Sequence, residues 1–178
     1  MRILVAITGA SGLEYGRRLV KVLKKDRKVQ LSVVVSKGAE EVAKLEKTKL
    51  PKADYAEDDF SCPYASGSNP PDAVVVIPCS LKSLGEIANG VGDNLINRAA
   101  EVAMKERKKL VLVVRDTPYS LITIKNMELV TLAGGVILPA TPGFYGKPKK
   151  VDDLIDFVVA RVLDQIGIKH KLSKRWGK

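Results

Sequence analysis

A chain of 178 residues, 46% of them hydrophobic, is sized for one domain around a single buried core. Its formal charge of +10, from 30 Lys and Arg against 20 Asp and Glu, favours anionic partners such as phosphorylated small molecules, nucleic acid or anionic membranes. Cys62 and Cys79 are too far apart for a metal knuckle and too few for a disulfide scaffold, and no apolar run approaches the roughly 18 residues of a membrane span, so a cytoplasmic protein with no membrane span is expected.

Ile3–Ile7 is a β-branched run, too short for a signal peptide's core, that predicts a strand covered on both faces. T-G-A-S-G follows at 8–12, and helical spacing resumes over about 12–25. Val29–Val35 predicts the second strand and 38–47 a helix. Residues 47–72 are rich in Lys, Asp, Ser, Gly and Pro and keep no period, so they read as a long loop with at most a short strand. Ala73–Ile77 predicts a strand, 80–89 and 93–108 helices, Leu110–Val114 a strand, 120–133 a helix, Val136–Leu138 a strand and 151–166 the last helix. The basic tail 167–178 holds the one histidine, His170, and the one tryptophan, Trp176. Strands alternating with helices imply crossover units. The expected fold is a single-domain, three-layer α/β/α Rossmann-like architecture over 1–178, with a mainly parallel sheet of five or six strands.

In such sheets ligands sit beyond the carboxyl ends of the strands. Here those ends carry Thr8-Gly9-Ala10-Ser11, Ser36, Pro78-Cys79-Ser80, Arg115-Asp116 and Pro139-Ala140-Thr141-Pro142, which should converge on one site. Glycines between strand and helix let backbone N–H groups approach an anion at the helix N-terminus. G-A-S-G-L-E-Y-G departs from the G-x-G-x-x-G spacing of dinucleotide sites, so a pyrophosphate cofactor is poorly supported. A helix end contributes roughly 0.3–2 kcal/mol toward an anion, whereas millimolar binding needs about 4 kcal/mol. Cations must therefore help: Arg98 and Lys105, seven apart on one helical face, and Arg115 at a strand end are candidates, each worth about 1.5–3 kcal/mol through charge-assisted hydrogen bonds.

Taken together, TGASG at 8–12, SKGAEEVAKLE at 36–46, ASGS at 65–68, IPCSLKSL at 77–84, DNLINRAAEVAMKER at 93–107, VRDTP at 114–118, LPATPGFYGKP at 138–148, DFVVARVLDQIGI at 156–168 and RWG at 175–177 closely resemble the UbiX-type flavin prenyltransferases. This family was formerly described as 3-octaprenyl-4-hydroxybenzoate or phenylacrylate decarboxylases. The resemblance implies an HFCD-type flavoprotein fold and a metal-independent transferase. Such an enzyme joins the five-carbon unit of dimethylallyl phosphate to N5 and C6 of reduced FMN and closes a fourth ring. It further implies that the product, prenylated FMN, passes to a UbiD-type decarboxylase, and that the protein is a homo-oligomer, typically a dodecamer with sites at trimeric interfaces.

Position by position, the resemblance assigns FMN binding to Gly9, Ala10, Ser11, Ser36, Ser80, Leu81, Lys82, Ser83 and Arg115. It assigns the prenyl phosphate to Tyr145, Arg161, Asp116, Arg98 and Lys105, the last often reaching in from a neighbouring subunit. Catalysis falls to Ser11, Glu46 and Tyr145, with Glu46 and the phosphate managing protons during ring closure; Phe60 and Trp176 are candidate aromatic faces. Asp116 stands where the family usually carries Glu, a carboxylate shorter by one methylene. Read without the resemblance, Glu46 is an exposed helix residue among Glu40, Glu41 and Lys44.

Two patterns mislead. Asp152-Asp153-Leu154-Ile155-Asp156 spells the D-D-x-x-D of isoprenyl diphosphate synthases, but acids opening a helix complement its dipole. Tyr145-Gly146-Lys147-Pro148-Lys149 spells a dehydrogenase Y-x-x-x-K, yet Pro148 and Gly146 oppose the helix that motif needs. The alternatives are an FMN-dependent cysteine decarboxylase of the same fold, whose early histidine is missing here, and an FMN-binding protein without catalysis. A nucleic-acid binder lacks support, because no basic stripe is interleaved with aromatics.

Overall fold

The structure, a computed structural model, describes residues 1–173, 175 and 177. Six strands form one all-parallel sheet: β1 (Arg2–Ile7), β2 (Gln30–Val35), β3 (Tyr55–Ala56), β4 (Ala73–Cys79), β5 (Lys109–Val114) and β6 (Val136–Ile137), in the order β3-β2-β1-β4-β5-β6. The helices are α1 (Leu13–Leu23), α2 (Lys37–Leu45), α3 (Leu81–Ala88), α4 (Leu95–Lys105), α5 (Leu121–Leu132) and α6 (Val151–Ile166). Every expected strand is present, with ends moved by one or two residues. The loop at 47–72 contributes only β3 and a 3-10 turn at Pro63–Ala65.

Side chains alternate across the strands because the pleat has a period of two. Ile3, Val5 and Ile7, with Val75, Ile77, Val111 and Val113, pack under α1 and α6. Leu4 and Ala6, with Val74, Val76, Leu112 and Val114, pack under α3 and α4. Both faces of the central strands are thereby buried, which explains why β1 and β4 read as continuous apolar runs.

Capping residues fix where the helices begin. Ser36, Ser80, Asn94 and Ser120 each accept the backbone N–H three residues on, at 3.0–3.2 Å. Gly12 starts α1 in the left-handed region at φ 92°, and Gly167 ends α6 at φ 82°. The D-D-x-x-D acids serve the fold: Asp153 accepts the Lys149 N–H at 2.8 Å at the start of α6, and Asp156 takes the Arg18 guanidinium in a two-pronged bond at 2.5 and 2.9 Å. That last pair ties α6 to α1.

α1 lies close enough to the sheet that a Cβ on Gly16 would strike the Ile77 carbonyl oxygen and come within 2.9 Å of the Ile7 side chain. Gly16→Ala is expected to destabilise the protein by about 1–3 kcal/mol, read as a lower denaturation midpoint. The helix-propensity gain from alanine, up to about 1 kcal/mol, should not cancel a clash with a strand backbone. An unchanged midpoint would mean that α1 can lift from the sheet.

Candidate active site

The sheet order splits between β1 and β4, whose following helices diverge, and ligand crevices open at such a point. Backbone and side-chain bonds tie the tips together there. Thr8, 1% exposed, donates its hydroxyl to the Pro78 carbonyl at 2.8 Å and accepts the Ser80 N–H at 2.9 Å. The Ser36 N–H donates to Ile7 at 3.0 Å, and the Arg115 N–H to Cys79 at 3.3 Å. The ends of β2, β1, β4 and β5 are thus locked side by side.

A cleft of about 630 Å³ opens above them, lined by Gly9, Ala10, Ser36, Ser80, Leu81, Lys82, Ser83, Arg115 and Asp116 among others. The N-termini of α2 and α3, capped by Ser36 and Ser80, meet at it and favour negative charge. Gly9 packs against the backbone of Gly38, where an added Cβ would fall 2.8 Å from a carbonyl carbon, so the turn can close only with glycine. Lys37 pairs with Asp58 at 3.3 Å and Lys82 with Glu86 at 3.6 Å. Arg115 differs: its Nε is buried with no hydrogen-bond partner. A buried guanidinium N–H without an acceptor is costly, and an anionic ligand at the tips would remove that cost. The residues present therefore suit a phosphorylated cofactor.

Asp116 lines the same cleft while accepting the Thr117 N–H at 2.7 Å. The ring of Tyr15, stacked by Gly12, lies near Arg115; burial pushes its phenol up, and the Arg115 charge opposes this. Ser11, exposed on the turn, is not one of the lining residues. Glu41, Glu57, Glu86 and Asn94 line the cleft without having been foreseen. Glu57 belongs to the aperiodic loop, which offers no pattern to read.

The other expected site residues fall elsewhere in the chain. Arg98 and Lys105 share one face of α4 as their spacing requires: Arg98 donates Nε to the Ala65 carbonyl at 3.0 Å and pairs with Glu101 at 2.7 Å, while Lys105 pairs with Glu106 at 2.7 Å against Gly67. Tyr145, half-exposed, meets Phe157 edge-on with centroids 5.7 Å apart. Arg161 pairs with Asp164 at 2.7 Å and lines a separate cleft with Pro139, Thr141 and Phe157. The fifth strand ending thus opens beside the first four rather than into their cleft. Glu46 is exposed just past α2, ten residues and so about 15 Å along the helix from Ser36, and it is not among the residues that line the cleft. Phe60 is largely exposed in the loop, and Trp176 lies outside the described residues.

The Flavoprotein family matches residues 1–163. The flavin prenyltransferase UbiX of Methanocaldococcus jannaschii is 47% identical over 99% of this chain and 99% of its own length. The chain belongs to the UbiX flavin prenyltransferase family. Its enzyme class is accordingly that of a prenyl-transferring flavoprotein. Among solved structures, AnUbiX (PadA1) in complex with FMN and dimethylallyl pyrophosphate is 42% identical, covers 99% of this chain and 97% of its own, and has a TM-score of 0.93. A dodecameric FMN-dependent UbiX-like decarboxylase from Escherichia coli O157:H7 is 38% identical with full coverage of both chains and a TM-score of 0.93. The rival cysteine decarboxylases share the fold alone: peptidyl-cysteine decarboxylase EpiD is 15% identical, with a TM-score of 0.59.

Among the described residues no group of His, Cys, Asp and Glu could hold a metal ion, and no helix is long and apolar enough to cross a membrane. Neither cysteine is placed as a nucleophile. Cys79 is 0% and Cys62 2% exposed, and burial pushes both thiols up. Titration of the native protein with an aromatic disulfide reagent should find less than one fast thiol per chain, and two after denaturation. A fast native thiol would show that one of them is reachable.

Proposed function

We propose that the protein binds reduced FMN in the cleft between β1 and β4 and attaches to its N5 and C6 the five-carbon group of dimethylallyl phosphate, delivering prenylated FMN to a UbiD-type decarboxylase. The observation that carries the reading is the buried, unpartnered Arg115 Nε at a cleft where two helix N-termini meet beside a glycine turn. When bound, reduced flavin supplies the electron-rich ring that takes the allylic carbon.

The chain's own residues account for the remaining requirements. Gly9 and Ala10 let a ligand approach the backbone, Ser36 and the 80–83 turn offer N–H and hydroxyl donors, and Arg115 supplies the fixed charge. As the allylic C–O bond breaks, negative charge grows on the departing phosphate, and cations held in place ahead of time stabilise it. Arg161, Tyr145, Lys105 and Arg98 are the groups proposed for that phosphate, with Asp116 at the rim. Ser11, on the exposed turn, would work beside the flavin, and Glu46 would handle protons in ring closure.

These groups line separate regions of one chain, so an assembly must unite them. The exposed apolar side chains of α5, Leu121, Ile122, Ile124 and Leu132, support a homo-oligomer, as does the dodecameric E. coli relative. We read the protein as a dodecamer in which Lys105 and Glu46 serve a neighbouring copy's cleft, working in the cytoplasm as one domain.

Incubating the protein with reduced FMN and dimethylallyl phosphate or diphosphate under anaerobic conditions should release flavin heavier by one five-carbon unit. Glu46→Gln should slow that gain at least tenfold. Unaltered flavin from the parent protein would sink the reading, and a normal rate in the variant would remove Glu46 from the chemistry. Arg115→Gln should weaken FMN binding about tenfold or more, measured by fluorescence titration, since a charge-assisted bond of about 1.5–3 kcal/mol is lost.

A further inference from the structure

Asp164, one turn beyond Arg161 on α6, accepts from three side chains. Arg161 donates Nη1 at 2.7 Å, Arg175 donates Nη2 at 2.7 Å and Nη1 at 3.3 Å, and His170 reaches it through Nε2 at 3.1 Å. The His170 side chain is 4% exposed, and its Nδ1 accepts the Leu172 N–H at 3.3 Å. The tautomer with its proton on Nε2 satisfies both contacts. Burial alone would raise the Asp164 carboxyl, but the hydrogen bonds from Arg175 and His170 outweigh it and hold the group below the usual carboxylate range.

These bonds bring His170 and Arg175 back onto α6 beside the expected prenyl-phosphate residues. Leu172 and Ser173 form one wall of a cleft of about 320 Å³ whose other walls include Tyr145 and Phe157. Phe157 carries the Tyr145 ring on one side and, one turn before Arg161, lines the adjoining Arg161 cleft. Arg175 and Tyr145 lie within electrostatic range of one another.

Two guanidiniums therefore share one carboxylate, leaving net positive charge at this corner. Both are about half-exposed, at 48% and 50%, and half-exposed ion pairs contribute little to stability. Arg161 spends one of its five N–H donors on Asp164 and Arg175 two, so each keeps donors for a further acceptor. A planar donor fork of this kind suits phosphate oxygens.

Resting on the reading of Tyr145 and Arg161 as phosphate-binding, we propose that Arg175 is a second guanidinium of the prenyl-donor pocket, binding the phosphomonoester, and that Asp164 is the positioning residue that holds it beside Arg161. The C-terminal segment is then part of the binding site, and its anchor is a carboxylate that never touches the substrate.

The test uses the full-length, FMN-loaded protein. Dimethylallyl phosphate binding is measured by calorimetry and KM by steady-state prenylation. Arg175→Ala should weaken binding and raise KM by about tenfold to a hundredfold, the loss of one charge-assisted bond, and should lower kcat as well because the same group faces the departing phosphate, with FMN affinity unchanged. Arg175→Lys should recover part of the loss. Asp164→Ala should raise KM in the same way and speed tryptic cleavage at the exposed Lys169 and Lys171 at least tenfold. An Arg175→Ala protein with the parent's affinity and KM overturns the proposal, and an Asp164→Ala tail cut at the parent rate overturns the positioning role. Should Asp164→Ala not fold, Arg175→Ala, on an exposed terminal segment, still decides. A parent protein that binds no dimethylallyl phosphate would instead refute the prenyl-donor reading on which this rests.

Discussion

The structure depends on the joint between β1 and β4. A parallel sheet sends every strand out at the same edge, and the connection that reverses direction there leaves a gap that neither neighbouring helix can cover. Thr8 closes that joint from below, one hydroxyl acting as donor to Pro78 and acceptor from Ser80. Because the tips are tied, the N-termini of α2 and α3 are held in fixed relation to each other. Their partial positive charge is in place before any ligand arrives, and nothing has to reorganise to create it.

Charge then distinguishes the site from the rest of a basic protein. Several cations already face a carboxylate: Arg18 on Asp156, Lys37 on Asp58, Arg98 on Glu101, Lys105 on Glu106. A surplus of ten positive charges therefore says little about where an anion binds. Arg115 says more, since its buried Nε is left without a partner at a place where donors already converge. The second charged corner works differently. Arg161 and Arg175 are held together by one carboxylate, so the positive charge is partly offset yet locally in excess. The two corners match a chemistry that needs one anion held and a second one released.

On the proposed reading, a single chain does not assemble that chemistry. Glu46 stands at the far end of the helix whose near end lines the cleft, and α5 leaves a broad apolar face uncovered. An exposed apolar helix beside a site with missing groups is the arrangement expected of a protomer whose pocket is finished by its neighbours. The cost of such a face in an isolated chain is recovered when copies meet.

Much of this was legible in the residue order. Short apolar runs rich in β-branched residues, such as Ile3–Ile7, Ala73–Ile77 and Leu110–Val114, point to strands covered on both faces, and their alternation with helical spacing gave the layers and the parallel sheet. The cleft residues Gly9, Ser36, Ser80 and Arg115 could be read because each follows the end of a strand, and strand ends in such a sheet share one edge. Two-residue β3 was hidden in a loop without period, and with it Glu57, whose place in the cleft comes from a backbone bond to Leu95. Where the fifth ending opens, that Arg98, Lys105 and Arg161 stand outside the cleft at the first four, and how His170 and Arg175 return to Asp164 were decided only by tertiary structure. Those matters turn on distances between elements far apart in the chain, and periodicity carries information only about neighbours along it.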